Sequence, residues 1–118
     1  MDNINRERRK YKRYALREEA YAGLYPKVGE IVDICLGGIA FRYLDLNKSE
    51  QNTDDLVIFG DDGACLTGLK HKTVSDKSVN DLSDFSTMMT RERRLSFEQM
   101  TEGQKMNLKN FIENHRIV

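Results

Sequence analysis

The chain is 118 residues long, which suits one domain with a single modest core. Its 19 Lys and Arg offset 19 Asp and Glu, for a formal net charge of zero. No apolar run is long enough to span a bilayer as a helix. The polar, basic start also lacks the hydrophobic stretch of a secretory signal, so a cytoplasmic protein without membrane insertion is expected.

The zero total conceals an asymmetry. Arg6, Arg8, Arg9, Lys10, Lys12 and Arg13 stand against Glu7 alone, whereas Asp45, Glu50, Asp54, Asp55, Asp61 and Asp62 stand against Lys48 alone. A positive end can therefore attract an anionic partner despite overall neutrality. Residues 1–13 are too poor in apolar side chains to contribute core and read as a flexible basic arm. Residues 14–118 read as the folded domain.

From Ala20 the pattern becomes strand-like. "AYAGLY" precedes Pro26, and "KVGEIVDIC" then alternates Val28, Glu30 and Val32 against Gly29, Ile31 and Asp33. "LGG" punctuates, "IAFRYL" resumes as a short apolar strand, and "NKSEQNTDD" is a polar loop. In "LVIFGDDGACLTGL" two apolar runs flank Asp61-Asp62-Gly63, where Asp-Gly suits a tight primed hairpin turn. The second arm is expected to run on through "KHKTV". Residues 75–86 read as a polar connection and "MMTRERRLSF" as the last strand. Thr101 with Gln104 forms a capping-box signal, and Leu108, Phe111, Ile112 and His115 share one helical face. These predict a helix over about 102–115. Short antiparallel strands closed by one helix describe a small β-barrel.

Two cysteines, Cys35 and Cys65, and two isolated histidines, His71 and His115, offer no disulfide framework and no zinc-ligand spacing. The cysteines read as free thiols. There is no nucleophile–base pair and no phosphate-binding glycine loop ahead of a helix, so an enzyme is not expected.

Two stretches carry chemistry. Arg9 and Arg13, four apart, can converge on one side of a helical or an extended segment. Their forked, permanently charged guanidinium groups suit a ligand with both phosphates and planar bases. An isolated run of this kind is also what a solvated basic tail looks like. Arg8–Lys12 and Arg9–Arg13 would be like-charge pairs in a helix, a repulsion that a bound anion relieves. The second stretch is "VDICLGGIAF". Asp33 and Cys35 share one face of a strand, and glycines at the bend allow close approach by backbone or ligand. A carboxylate there can accept from the N1 and N2 donors of guanine. By itself the stretch reads first as a β-turn preceded by a polar residue.

In this order and spacing, "ERRKYKR" and "VDICLGGIAF" resemble the signature of the PilZ domain family, receptors for the bacterial second messenger cyclic di-GMP. The signature is R-x-x-x-R in an N-terminal segment followed by [D/N]-x-S-x-x-G at a strand end. Arg9 to Arg13 match the first element. Asp33-Ile34-Cys35-Leu36-Gly37-Gly38 matches the second at all but one named position, and the closing strand and helix look similar too.

The resemblance implies a six-stranded antiparallel barrel with a C-terminal helix and the arm folded across its outer surface. Arg9 and Arg13 would take guanine and phosphate groups, while Asp33, Cys35, Gly37 and Gly38 hold the other side of the ligand. Arg8 would add a cation of the kind that accompanies an intercalated ligand dimer. It implies no cofactor beyond the ligand, an unidentified downstream protein reached by signal transduction, and leaves a homodimer open.

Two positions depart from the pattern. Cys35 replaces serine, putting a larger and weaker hydrogen-bonding group at the site, and Arg94 stands where the family often has glycine. The cysteine keeps an alternative in play: a PilZ-like adaptor that binds no nucleotide and acts by docking to another protein. A barrel that grips a nucleic-acid polymer through the arm fits less well, because the remaining surface is acidic and stacking aromatics are few.

Overall fold

The computed structural model of the chain describes residues 13–16, 20–25, 27–45, 54–79 and 89–116. Arg8 and Arg9, and most of the expected arm, lie outside them. Among these described residues, seven strands and one helix follow in chain order: β1 (Ala20–Leu24), β2 (Lys27–Cys35), β3 (Gly38–Asp45), β4 (Leu56–Gly60), β5 (Cys65–Thr67), β6 (Lys70–Ser78), β7 (Met89–Glu98) and α1 (Glu102–His115).

All neighbours pair antiparallel in one sheet of order β5-β4-β1-β2-β3-β7-β6. β2 belongs to two ladders: Val28, Gly29 and Glu30 face β1, while Ile31 to Cys35 face β3. The sheet bends there, producing a curled half-barrel. A side chain at Gly29 would collide with the Arg42 carbonyl, so the bend requires a residue without Cβ.

The concave side holds the core. Ala22 and Leu24 of β1, Ile31 and Ile34 of β2, Ile39, Phe41 and Tyr43 of β3, Leu56 and Ile58 of β4 and Leu95 of β7 are all buried in one cluster. Leu108, Phe111 and Ile112 of α1 complete it. The helix begins with the expected capping box: Gln104 N–H donates to Thr101 Oγ1 at 3.1 Å and Thr101 N–H to Gln104 Oε1 at 3.0 Å. Gln104 Nε2 also donates to the Gly68 carbonyl at 3.2 Å. At the other end His115 Nε2 lies 3.2 Å from Asp62 Oδ1 on the β4–β5 turn, so both ends of α1 are tied to the β4–β5 side of the sheet.

Seven strands replace the expected six because the long second arm of the hairpin is two strands. At Gly68, φ is +80°, a left-handed angle that ends the extended run. β5 stays on β4, and β6 leaves to pair with β7. β6 also continues to Ser78, into the stretch expected to be a polar connection. It is an edge strand with polar residues on both faces, so its sequence has no apolar alternation. The hairpin turn differs as well. Among Asp61, Asp62 and Gly63, Gly63 alone has a positive φ, +94°, and Gly60 N–H donates to the Ala64 carbonyl at 3.0 Å. This is a three-residue loop with one left-handed residue, not a two-residue primed turn.

Candidate functional site

The site follows from the pleat of β3. Ile39, Phe41 and Tyr43 point into the core, so Gly38, Ala40 and Arg42 face outward. The register places Gly38 between Cys35 of β2 and Ser96 of β7, and Ala40 between Asp33 and Arg94. Two rows thus cross the outer surface with almost no side chain at their centre. Gly38 makes a low floor between walls from β2 and β7, while Ala40 in the next row is fully buried. The floor glycine is also needed by the sheet, because a Cβ at Gly38 would run into the Leu95 carbonyl oxygen.

Asp33 reaches this surface through an irregularity. Strict alternation would put Ile31 and Asp33 on one face, but the β2–β3 register shifts between them, leaving Val32 as the extra residue of a bulge. Ile31 and Ile34 both stay in the core while Asp33 and Cys35 turn outward.

Arg13 arrives by backbone pairing. Tyr14 N–H donates to the Ile34 carbonyl at 2.9 Å and Ile34 N–H to the Tyr14 carbonyl at 3.0 Å, an antiparallel bridge beyond the end of β1. Leu16 forms another bridge with Arg116 after α1, whose guanidinium lies over the Tyr14 ring, 5.5 Å from its centroid. Arg13, one residue before Tyr14, therefore falls beside Cys35, and its Nη1 is 3.9 Å from Asp33 Oδ2.

Arg13, Asp33, Cys35, Gly37 and Gly38 are thus brought together around a cavity of about 190 Å³, with Val74, Arg94 and Ser96 on its far side. Arg94 Nη1 lies 3.6 Å from the Asp33 oxygen that Arg13 approaches. Its Nη2 lies 3.1 Å from Glu92 Oε2, and Glu92 Oε1 accepts from Arg42 Nε at 3.1 Å. Cys35 Sγ accepts from Gly37 N–H at 3.3 Å, and the Gly37 carbonyl accepts from Phe97 N–H at 2.9 Å, so the Leu36-Gly37 turn is fastened to β7. The neighbouring bulge in β6, between Thr73 and Ser75, leaves Val74 63% exposed at the rim.

A second polar centre, on β3, β6 and β7, went unsignalled in the sequence. Asp76 accepts from Tyr43 Oη at 2.6 Å, from Arg91 Nε at 2.8 Å and from Arg93 Nε at 2.8 Å. Burial pushes its carboxyl pKa up, but these three donors outweigh that and hold it below the ordinary aspartate value. Burial, followed by the Asp76 hydrogen bond, raises the Tyr43 phenol. Beside it a larger cavity of about 670 Å³ has Lys27, Lys70, Lys72 and Arg93 interspersed with Asp54, Asp55 and Glu98. Its charges are mixed and it contains none of the ligand-binding residues expected from the sequence, so the smaller, convergent site is the functional candidate. Among the described residues no group of three or more His, Cys, Asp or Glu could hold a metal ion. No helix among them is long and apolar enough to cross a membrane.

Neither a model of any known family nor any curated protein sequence matches this chain. Its fold does have a solved counterpart. The PilZ domain with c-di-GMP of YcgR from Escherichia coli matches with a TM-score of 0.67, over 91% of this chain and 90% of that one, at 13% sequence identity. The chain has a PilZ-like fold. At that identity the likeness is one of architecture.

Proposed function

We propose that the chain is a non-enzymatic receptor for cyclic di-GMP, which binds on the outer face of the PilZ-like half-barrel. The observation that carries the reading is the approach of Arg13 to Asp33, at 3.9 Å, beside a cavity floored by Gly38. A cation and an acid lie side by side above a surface low enough for a planar group. In this reading the Asp33 carboxylate accepts from the N1 and N2 donors of a guanine. Arg13, joined by Arg9 and Arg8 from the preceding segment, meets phosphates and purine faces or edges. Cys35, Gly37 and Gly38 form the turn against which the ligand rests.

Closure of that N-terminal segment over the ligand would create a surface absent from the free protein, which a downstream protein could read. The fold of YcgR's c-di-GMP-carrying domain supports the choice of ligand.

Calorimetric titration of the full chain with cyclic di-GMP, against the linear dinucleotide and the mononucleotide, tests the reading. Saturable heat and a rise in melting temperature with the cyclic ligand are expected. No heat and no thermal shift at high ligand concentration would leave the docking adaptor as the better description.

A further inference from the structure

Arg94 is the charged residue lining this cavity that neither the arm nor the strand-end motif accounts for. In the register it occupies the same row as Asp33, with Ala40 between them. Only a methyl group separates the two walls at that point, and Arg94 Nη1 spans it to within 3.6 Å of Asp33 Oδ2. The contact is too long for a hydrogen bond, and the Arg94 side chain is 32% exposed, so the pair holds weakly against solvent. The other branch is held better: Nη2 is 3.1 Å from Glu92, itself fixed by Arg42. One branch is thus anchored, and the other is directed over the floor of the cavity with a partner it can give up.

We propose that Arg94 is a ligand-binding residue of this chain, supplying a phosphate contact from the β7 wall opposite Arg13. The inference rests on the receptor reading above. On binding, Nη1 exchanges Asp33 for a phosphate oxygen while Glu92 retains Nη2. Asp33 is thereby released to accept from a guanine, so the ion pair of the free protein is replaced at both of its ends by the ligand. Arg94 and Arg13 then flank the dianion from either side of Asp33. A β7 residue without charge would leave that side of the ligand facing neutral wall.

The test is titration of the wild-type chain, Arg94→Ala and Arg94→Lys with cyclic di-GMP, at salt concentrations of about 0.05 M and about 0.5 M. Arg94→Ala is expected to bind about tenfold more weakly at low salt, with the gap shrinking to about threefold at high salt as charge is screened. Arg94→Lys keeps the charge but not the fork, so it should recover part of the loss and all of the salt sensitivity. Wild-type binding with Arg94→Ala within twofold at both salts would overturn the role of Arg94 alone. An equal loss at both salts would overturn it too, since that marks a change in shape, not charge. No binding by the wild type would overturn the receptor reading and this inference with it.

Discussion

Tyr14 and Ile34 exchange both of their backbone hydrogen bonds, at 2.9 and 3.0 Å, and this single bridge sets which way Arg13 faces. In an antiparallel pair, residues on either side of a bridged position project to the opposite surface. Tyr14 packs against the core and Ile34 is fully buried within it. Arg13 must therefore emerge on the outer face with Asp33 and Cys35. The bridge converts position in sequence into a side of the sheet.

A one-residue slip would reverse that assignment. Inserting one glycine between Arg13 and Tyr14 leaves the bridge and the Tyr14 packing in place but turns Arg13 away from Asp33. The insertion variant should lose about tenfold or more in affinity for cyclic di-GMP, matching Arg13→Ala, which should lose about 1–3 kcal/mol of binding free energy. Melting temperature should barely move in either. An insertion variant that binds like the wild type would show that Arg13 is not placed by this bridge.

Cys35 accepts from the Gly37 N–H at 3.3 Å, doing with sulfur what a hydroxyl does better. Oxygen is the smaller and stronger acceptor and keeps a proton to donate. Cys35→Ser should tighten cyclic di-GMP binding by about 0.5–1.5 kcal/mol, one net hydrogen bond, with stability unchanged. Calorimetry of the two proteins decides the point. A marked loss of affinity would mean that the thiol has a contact of its own with the ligand.

How much of this was legible in the sequence depended on whether the deciding interaction was local. The capping box, the Leu108–Phe111–Ile112–His115 stripe and the apolar strands are written in near neighbours, and the structure has them where they were expected. The pairing of β3 with β7, some fifty residues apart, is not. The Asp33–Ala40–Arg94 row, which depends on that pairing, could not be drawn beforehand, although Arg94 was conspicuous as a cation in place of glycine. β6 past Val74 leaves no mark in the sequence because an edge strand with polar faces carries no burial pattern. Asp76 sat in that unread stretch, and the three side chains that converge on it lie on two other strands. The bulge at Val32 was hidden because the apparent alternation of "KVGEIVDIC" suggested a regular strand.

Gly38 serves the sheet as well as the site. A methyl group there would meet the Leu95 carbonyl oxygen, a backbone atom of the neighbouring strand. Gly38→Ala should therefore force β3 and β7 apart and destabilise the fold by about 1–3 kcal/mol, the usual scale of overpacking. Denaturant unfolding measures this directly, with no ligand present. Undiminished stability would place the requirement for glycine in the ligand contact alone.

Asp76 yields a prediction about pH. Its carboxylate collects Tyr43, Arg91 and Arg93. Desolvation works against the charged form, but the three donors prevail and its pKa lies below the ordinary 3.8. A carboxylate depressed in the folded state stabilises it fully above the unfolded value, and the contribution disappears as pH falls through the folded value. Asp76→Asn should cost about 1 kcal/mol at neutral pH, a charge-assisted hydrogen-bond contribution trimmed by solvent on the open side. In unfolding free energies followed from neutral to acid, the gap between wild type and variant should hold above about pH 4 and narrow below it. A gap that stayed constant into acid would mean that the charge on Asp76 contributes nothing and that the site acts through shape.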